Sequence, residues 1–412
     1  MTSVRFEPFV AVILILAGTF IGVPIALLLG IVALLLEIVR LVWSRGGLRR
    51  LEYRRRLERN RTSWGETIPL TVEVWNRKRL PLAWLRADDA ASAGVDVVER
   101  ELRDGVDGSP VLRNVWTLAP FERVVRRFHV GATRRGVFEL GPVRLSAGDL
   151  LGRDAALDER AAVDSFLVRP RTIHMTPIAR RDQWGGLDRA AHGLNEDPSR
   201  FAGVREYAPG DPLRRIHHRT SARLGRPMVK RFEPSRDRQF LIALDVQMHD
   251  GPSWELGFVE NDVESLFVVA ASLARSLAAD RASVGLAAAG YTGAETRFAY
   301  LPPSADPGQA ERVLDLLARL SSHPSAPFDT LLSRIARVTA PGTTVLVLTG
   351  RDPRTYVRHL RALERLGCAV VVAACGPDAA GHTATARAAG LAARVVRLDG
   401  PWRTATDIAV TA

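Results

Sequence analysis

Cysteine and lysine are almost missing from this 412-residue chain, and each scarcity excludes something. Two cysteines, Cys368 and Cys375, cannot build a disulfide scaffold or a four-cysteine zinc site. Lysine occurs only at Lys78 and Lys230. Neither follows a G-x-x-x-x-G-K-[ST] loop, so the chain is not a P-loop nucleotidase. A G-x-S-x-G nucleophile elbow and an H-E-x-x-H zinc helix are also absent. What is present is globular in balance, with 47% hydrophobic and 25% charged residues. The length allows two or three domains. The net charge of +12 is carried almost wholly by arginine, which supplies 55 of the 57 basic residues.

That charge is unevenly placed. From Pro8 to Leu36 the chain has no charged residue, and the apolar character continues past Glu37 and Arg40 to Trp43. About 20 apolar residues cross the roughly 30 Å hydrocarbon layer, so residues 1–44 are expected to be a membrane anchor. Gly18 and the Gly22-Val23-Pro24 break predict a hairpin of two short helices, with a single pass as the alternative. The run is too long for a cleaved signal peptide, and no small-residue cleavage site follows it. Arginines from Arg45 to Arg61 then read as a basic juxtamembrane linker, residues 45–60, lying against anionic lipid. They place the later domains on the cytoplasmic side of a cell membrane, where two free thiols also fit.

Residues 61–171 read as short strands and turns. Ile68 to Trp75 alternates apolar and polar residues, and further strands are expected at 111–118, 124–130, 136–140, 143–146 and 165–168. This pattern predicts a β-sandwich-like region. From residue 239 to 412 the pattern becomes α/β. Phe240 to Leu244 is an apolar strand ending on Asp245, and a long helix follows over 258–279. Strands and helices then alternate, as in an open, mainly parallel sheet. Ligands in such sheets bind at the carboxyl ends of the strands, where Asp245, Thr349 and Asp352 fall.

Between these regions lies an Arg-rich segment, residues 172–238. Across 200–238 there are eleven basic and four acidic residues, interleaved with Tyr207, Ile216, Met228, Val229 and Phe232. Pro209-Gly210-Asp211-Pro212 reads as a rigid turn with Asp211 available as a cap. His217 and His218 are expected on opposite sides of a strand. Three readings stand: a loop stitched to its own domain, a docking surface for an acidic protein, or a phosphate or nucleic-acid site. No nucleic-acid motif supports the last.

Arg205-Glu206-Tyr207-Ala208-Pro209-Gly210-Asp211, then Arg214-Arg215-Ile216, Ser221-Ala222-Arg223 and Val229-Lys230-Arg231-Phe232-Glu233, resembles the signature of the domain-of-unknown-function-58 family. Arg135-Gly136-Val137-Phe138, Gly148 to Gly152 and Val168-Arg169-Pro170 extend the resemblance, while His218 stands where the family usually has tryptophan. The resemblance implies membrane attachment, a C-terminal von Willebrand factor A-like domain and partnership with a MoxR-type AAA+ ATPase. It implies no known reaction.

Von Willebrand A-like domains can hold Mg²⁺ through D-x-S-x-S, a threonine and a second aspartate. The matching positions are Asp245, Thr330 and Asp352, but Gln247 and His249 replace both serines and Arg351 adds positive charge. The set therefore reads as degenerate, with no cofactor expected. The sequence points to a non-enzymatic, membrane-tethered assembly or docking factor. Its partner-binding residues are Arg205, Glu206, Tyr207, Gly210, Asp211, Arg214, Arg215, Arg219, Ser221 and Arg223. The alternatives are a hydrolase with a site near Asp245, or phosphate or nucleic-acid binding through the arginines.

Overall fold

The computed structural model describes residues 7–148, 154–175, 196–208, 215–234, 238–248, 260–293 and 297–411. The chain divides into two units, residues 1–168 and 169–412.

The first unit opens with helices α1 (Glu7–Phe20) and α2 (Pro24–Gly46). Gly22 at φ 77° makes the turn between them, and Pro24 starts α2, where its missing N–H costs nothing. The pair is unequal rather than two short helices. Over Pro24–Trp43, α2 is long and apolar enough to cross a membrane, whereas the 14 residues of α1 extend about 21 Å. Small residues let the two backbones touch. A Cβ on Gly18 would lie 2.6 Å from Leu27 Cα, and one on Gly30 would lie 2.7 Å from the Ile15 backbone nitrogen.

The strands of this unit are β1 (Leu51–Leu57), β2 (Arg61–Ser63), β3 (Ile68–Asn76), β4 (Leu82–Ala91), β5 (Val95–Val97) and β6 (Arg103–Asp104). They continue as β7 (Pro110–Leu118), β8 (Arg123–Ala132), β9 (Gly136–Gly148), β10 (Asp154–Arg160) and β11 (Asp164–Arg169). One sheet runs β1-β3-β8-β5; the other runs β2-β11-β9-β4-β7-β6, with β10 on β9. Alternate residues of β3, from Ile68 to Val74, meet Leu85, Leu112, Leu140 and Leu145 of the other sheet in one core. The two strands expected over 136–146 are one continuous strand, β9.

Residues 51–57, expected in a linker, are instead strand β1, paired residue for residue with β3. The arginines hide a period of two. Leu51, Tyr53, Arg55 and Leu57 face inward, while Arg54 and Arg56 are exposed. Arg55 tolerates burial because the opposite sheet supplies carboxylates. Its Nη1 donates to Asp89 Oδ1 at 2.6 Å and its Nε to Asp164 Oδ2 at 2.7 Å. A third N–H donates to the Leu140 carbonyl at 2.6 Å, and the Tyr53 hydroxyl bonds the second Asp89 oxygen. Burial pulls the Arg55 pKa down, but Asp89 and Asp164 outweigh it and keep the cation above its ordinary value.

The second unit begins at Arg169, whose guanidinium bonds Glu311 and, at 2.6 Å, Asp315. Its elements are β12 (His174–Met175), β13 (Glu196–Glu206), α3 (His218–Leu224), β14 (Met228–Pro234), β15 (Gln239–Leu244) and α4 (Glu260–Ala279). Then come β16 (Ser283–Ala288), β17 (Ala299–Ser304), α5 (Gln309–Arg319), α6 (Phe328–Val338) and β18 (Thr344–Thr349). A 3₁₀ turn (Pro353–Thr355), α7 (Val357–Arg365), β19 (Ala369–Ala374), α8 (Ala379–Ala388), β20 (Ala392–Leu398) and β21 (Asp407–Thr411) complete it.

The main sheet runs β12-β21-β20-β19-β18-β15-β16-β17. Its centre is parallel, and β17 and β21 join antiparallel. Leu241, Ala243, Val345, Val347, Val370 and Val372 pack under α6, α7 and α8. The alternate residues, such as Ile242 and Leu346, are equally buried on the face where α4 and α5 lie. Burial on both faces explains the unbroken apolar runs. Residues 174–175, expected within the Arg-rich segment, belong to this sheet through β21.

Candidate functional site

The strand order reverses between β15 and β18, and the carboxyl ends of these strands flank the crevice that open α/β sheets use for ligands. Asp245 follows β15 and extends the ladder, its N–H donating to the Leu348 carbonyl at 2.9 Å. Its carboxylate is 3% exposed. Oδ2 accepts from Arg351 Nε at 2.9 Å and from the Thr349 hydroxyl at 3.1 Å; Oδ1 accepts from the Gln247 amide at 3.2 Å. The buried Tyr356 hydroxyl donates to Thr349 Oγ1 at 3.1 Å, and its ring meets Phe328 edge-on at 5.2 Å. Burial pushes the Asp245 carboxyl above its usual range, against the pull of Arg351, Gln247 and Thr349.

The remaining candidates for a metal set bond to their own neighbours in sequence. Thr330 is exposed and its hydroxyl donates to Asp329 at 3.3 Å. Asp352 accepts the Arg354 amide at 3.0 Å, closing the 3₁₀ turn. Position 249 lies outside the described residues. Among the described residues no three His, Cys, Asp or Glu side chains gather as a metal group. Met248 packs closely at this end of the sheet. Met248 is 2% exposed, and a Cβ on Gly350 would come within 2.5 Å of its sulfur, one on Gly376 within 2.9 Å of its methyl. Cys375 is buried beside this end of the sheet, and burial pushes its thiol up to about 12, so it is no nucleophile at neutral pH.

The Arg-rich segment folds as a hairpin. β13 and β14 pair antiparallel from Glu206↔Met228 back to Glu196↔Pro234, with α3 inserted between them. His217 and His218 do not sit on a strand. His217 caps α3, its Nδ1 accepting the Thr220 amide at 3.2 Å, and His218 is the first helical residue. The helix ends at Gly225, whose φ of 67° a side chain would oppose. Ser221 holds the hairpin together. Its hydroxyl donates to the His217 carbonyl at 3.0 Å and accepts the Met228 amide at 2.8 Å, tying helix to strand. Tyr207 continues the hairpin through its N–H to the Pro227 carbonyl at 3.0 Å.

Gly210, Asp211 and Arg214 lie outside the described residues. Arg205 and Glu206 are exposed; Glu206 meets Arg226 at 3.3 Å, and Arg205 donates to the Glu206 carbonyl at 3.0 Å. Arg215 is half-buried before α3. Arg219 and Arg223, four residues apart on α3, are exposed, as are Leu224 and Phe201. The hairpin thus presents arginines beside apolar side chains.

Residues 203–376 match the family model described as Protein of unknown function DUF58. The match starts in β13 and ends just past β19, so it takes in the α3 hairpin and the Asp245–Arg351 pair. The Bacillus subtilis (strain 168) protein "Uncharacterized protein YeaD" is 26% identical over 249 residues. That alignment covers 59% of this chain and 57% of the relative's length. Among solved structures, native alpha-2-macroglobulin from Escherichia coli is similar over 30% of this chain and 17% of that one, at 21% identity and a TM-score of 0.22. A CARDB domain from Pyrococcus furiosus is similar over 29% of this chain and 91% of its own, at 15% identity and a TM-score of 0.20.

Proposed function

We propose that this chain is a membrane-anchored docking protein whose α/β unit is a metal-free, von Willebrand factor A-like interaction domain. The observation that carries the reading is Arg351. Its guanidinium bonds the carboxylate that would ligate a cation in such a domain, and Met248 packs closely at the same end of the sheet. A fixed positive charge then stands where a loosely held one would be, and the sheet acts as a scaffold for its surfaces. The partner is a protein with an acidic face, and a MoxR-type AAA+ ATPase fits, since the chain has no nucleotide loop of its own. Arg219 and Arg223 on α3, with Arg205 on β13, would steer that face into place, an attraction that salt screens. The soluble units face the cytoplasm, the side that Arg45 in the last turn of α2 and Arg49 and Arg50 after it favour.

Capture by the full chain in neutral detergent tests this reading. The expected result is an AAA+ ATPase retained at low salt, lost at high salt, resistant to nuclease and weakened by Arg219→Glu/Arg223→Glu. Retention of nucleic acid alone, or substrate turnover abolished by Asp245→Ala, would replace docking with one of the rival functions.

A further inference from the structure

Among the described residues, no carboxylate pairs with the cations at the carboxyl-terminal end of α2. Arg49, Arg50 and Lys78 line an open cavity of about 500 Å³ with Gly46 and Leu80. A second groove of about 290 Å³, sharing Gly46 and Arg49, continues along α2 over Leu41, Val42 and Arg45. Among the described residues Arg45, Arg49, Arg50 and Lys78 form no ion pair, although their neighbours do: Arg54 and Arg77 share Glu52. Lys78 comes from the turn between β3 and β4, more than 30 residues beyond Gly47. Its Nζ donates at 2.7 Å to the Gly47 carbonyl, at the negative end of the helix dipole. That bond uses one of three ammonium donors.

The frame around these cations is rigid. A Cβ on Gly47 would lie 2.6 Å from the Trp43 carbonyl and 3.6 Å from the Ala147 methyl, so the helix end is seated on the sandwich. Arg50 adopts φ 54°, a left-handed conformation that turns the chain from helix into β1. Burial draws the Lys78 ammonium down to about 8, a cost that a neighbouring anion would relieve. The grooves are cationic at the helix end and apolar toward its middle. Trp43 marks the level at which aromatic residues meet the headgroup layer.

We propose that the end of α2 and the β3–β4 turn form a binding site for the phosphate headgroup of an anionic phospholipid, with an acyl chain lying over Leu41 and Val42. The proposal rests on the membrane reading above, but it differs from general attraction of a basic segment. A diffuse field counts every arginine from Arg45 to Arg61 alike; a site singles out Arg49 and Lys78.

The test uses the full chain in neutral detergent, titrated with short-chain phosphatidylglycerol, with phosphatidylcholine of the same chains and with inorganic phosphate, while the melting temperature is followed. Phosphatidylglycerol alone should give a saturable rise. Arg49→Gln and Lys78→Met should each weaken it about tenfold, while Arg56→Gln, which removes the same charge from exposed β1, should change it less than twofold. Equal response to phosphatidylcholine or free phosphate, or equal weakening by Arg56→Gln, overturns the site. Arg49 is exposed, so Arg49→Gln decides the matter even where Lys78→Met fails to fold. Alkaline extraction separates the two levels. A chain that washes off membranes defeats the membrane reading, whereas one that stays but shows no phosphatidylglycerol preference defeats the site alone.

Discussion

Replacing Asp89 by alanine is the most informative perturbation of the sandwich. Asp89 is fully buried and holds Arg55, whose side chain is 4% exposed, at 2.6 Å across the two sheets. Removing the carboxylate leaves the guanidinium in the core with Asp164, itself 38% exposed, as its remaining anion. Breaking one side of a buried pair costs roughly 3–5 kcal/mol, and the residual Asp164 contact places Asp89→Ala near 3. Removing both charges should cost far less than the sum of the single changes, because no unpaired ion remains. Chemical denaturation followed by tryptophan fluorescence reports mainly on this unit, since five of the eight tryptophans, Trp43, Trp64, Trp75, Trp84 and Trp116, lie within it. A loss below about 1 kcal/mol for Asp89→Ala, or strict additivity with Arg55→Met, would refute the claim that the ion pair joins the sheets.

Further expectations concern the α/β unit, the hairpin and pH. Arg351→Ala strands the Asp245 carboxylate and should destabilise the second unit by about 3 kcal/mol in denaturant titrations, while millimolar Mg²⁺ leaves the wild-type melting temperature unchanged. Ser221→Ala deletes two hydrogen bonds of about 1 kcal/mol each, so the Met228 amide should exchange with deuterium faster while the β15 amides do not. The Lys78 ammonium has a folded pKa of about 8 against roughly 10.4 unfolded. Between these values the unfolded chain binds more protons, so stability rises with pH, and below about pH 8 both states are charged and the penalty is complete. Lys78→Met should flatten that rise in denaturation midpoints measured across the window.

The elements legible in the sequence are those whose burial pattern carries no charge. β3 alternates cleanly, and the interiors of β15, β18 and β19 are apolar because helices cover both faces. β1 escapes because an inward position is an arginine. β4 escapes because Asp88 and Asp89 interrupt its run, though an aspartate pair in an otherwise apolar stretch was a usable sign of a buried cation. β21 escapes because its five residues open on an exposed aspartate and bury only Ile408 fully, too short a pattern to read. At the strand ends, sequence placed Asp245 correctly and noted the charge of Arg351, but the Asp245–Thr349–Tyr356 chain depends on tertiary contact. In the hairpin, the bonds by which the Ser221 hydroxyl ties helix to strand likewise depend on tertiary contact.

The pairing of β12 with β21 also bears on how the chain comes off the ribosome. His174 and Met175 lie parallel to Asp407 and Ile408, 233 positions later. At about 5–20 residues per second, that partner emerges roughly 12–47 seconds after β12 does. The sandwich, by contrast, finds every strand partner within residues 51–169. It is therefore placed to fold first, and the edge of the α/β sheet is sealed only once residues 407–411 have left the exit tunnel. Until then residues 169–175, which end up bonded to α4, α5 and Trp402, lack their final seat. Damage to β21 should thus be felt at residues laid down early in synthesis, far along the chain from where the damage lies.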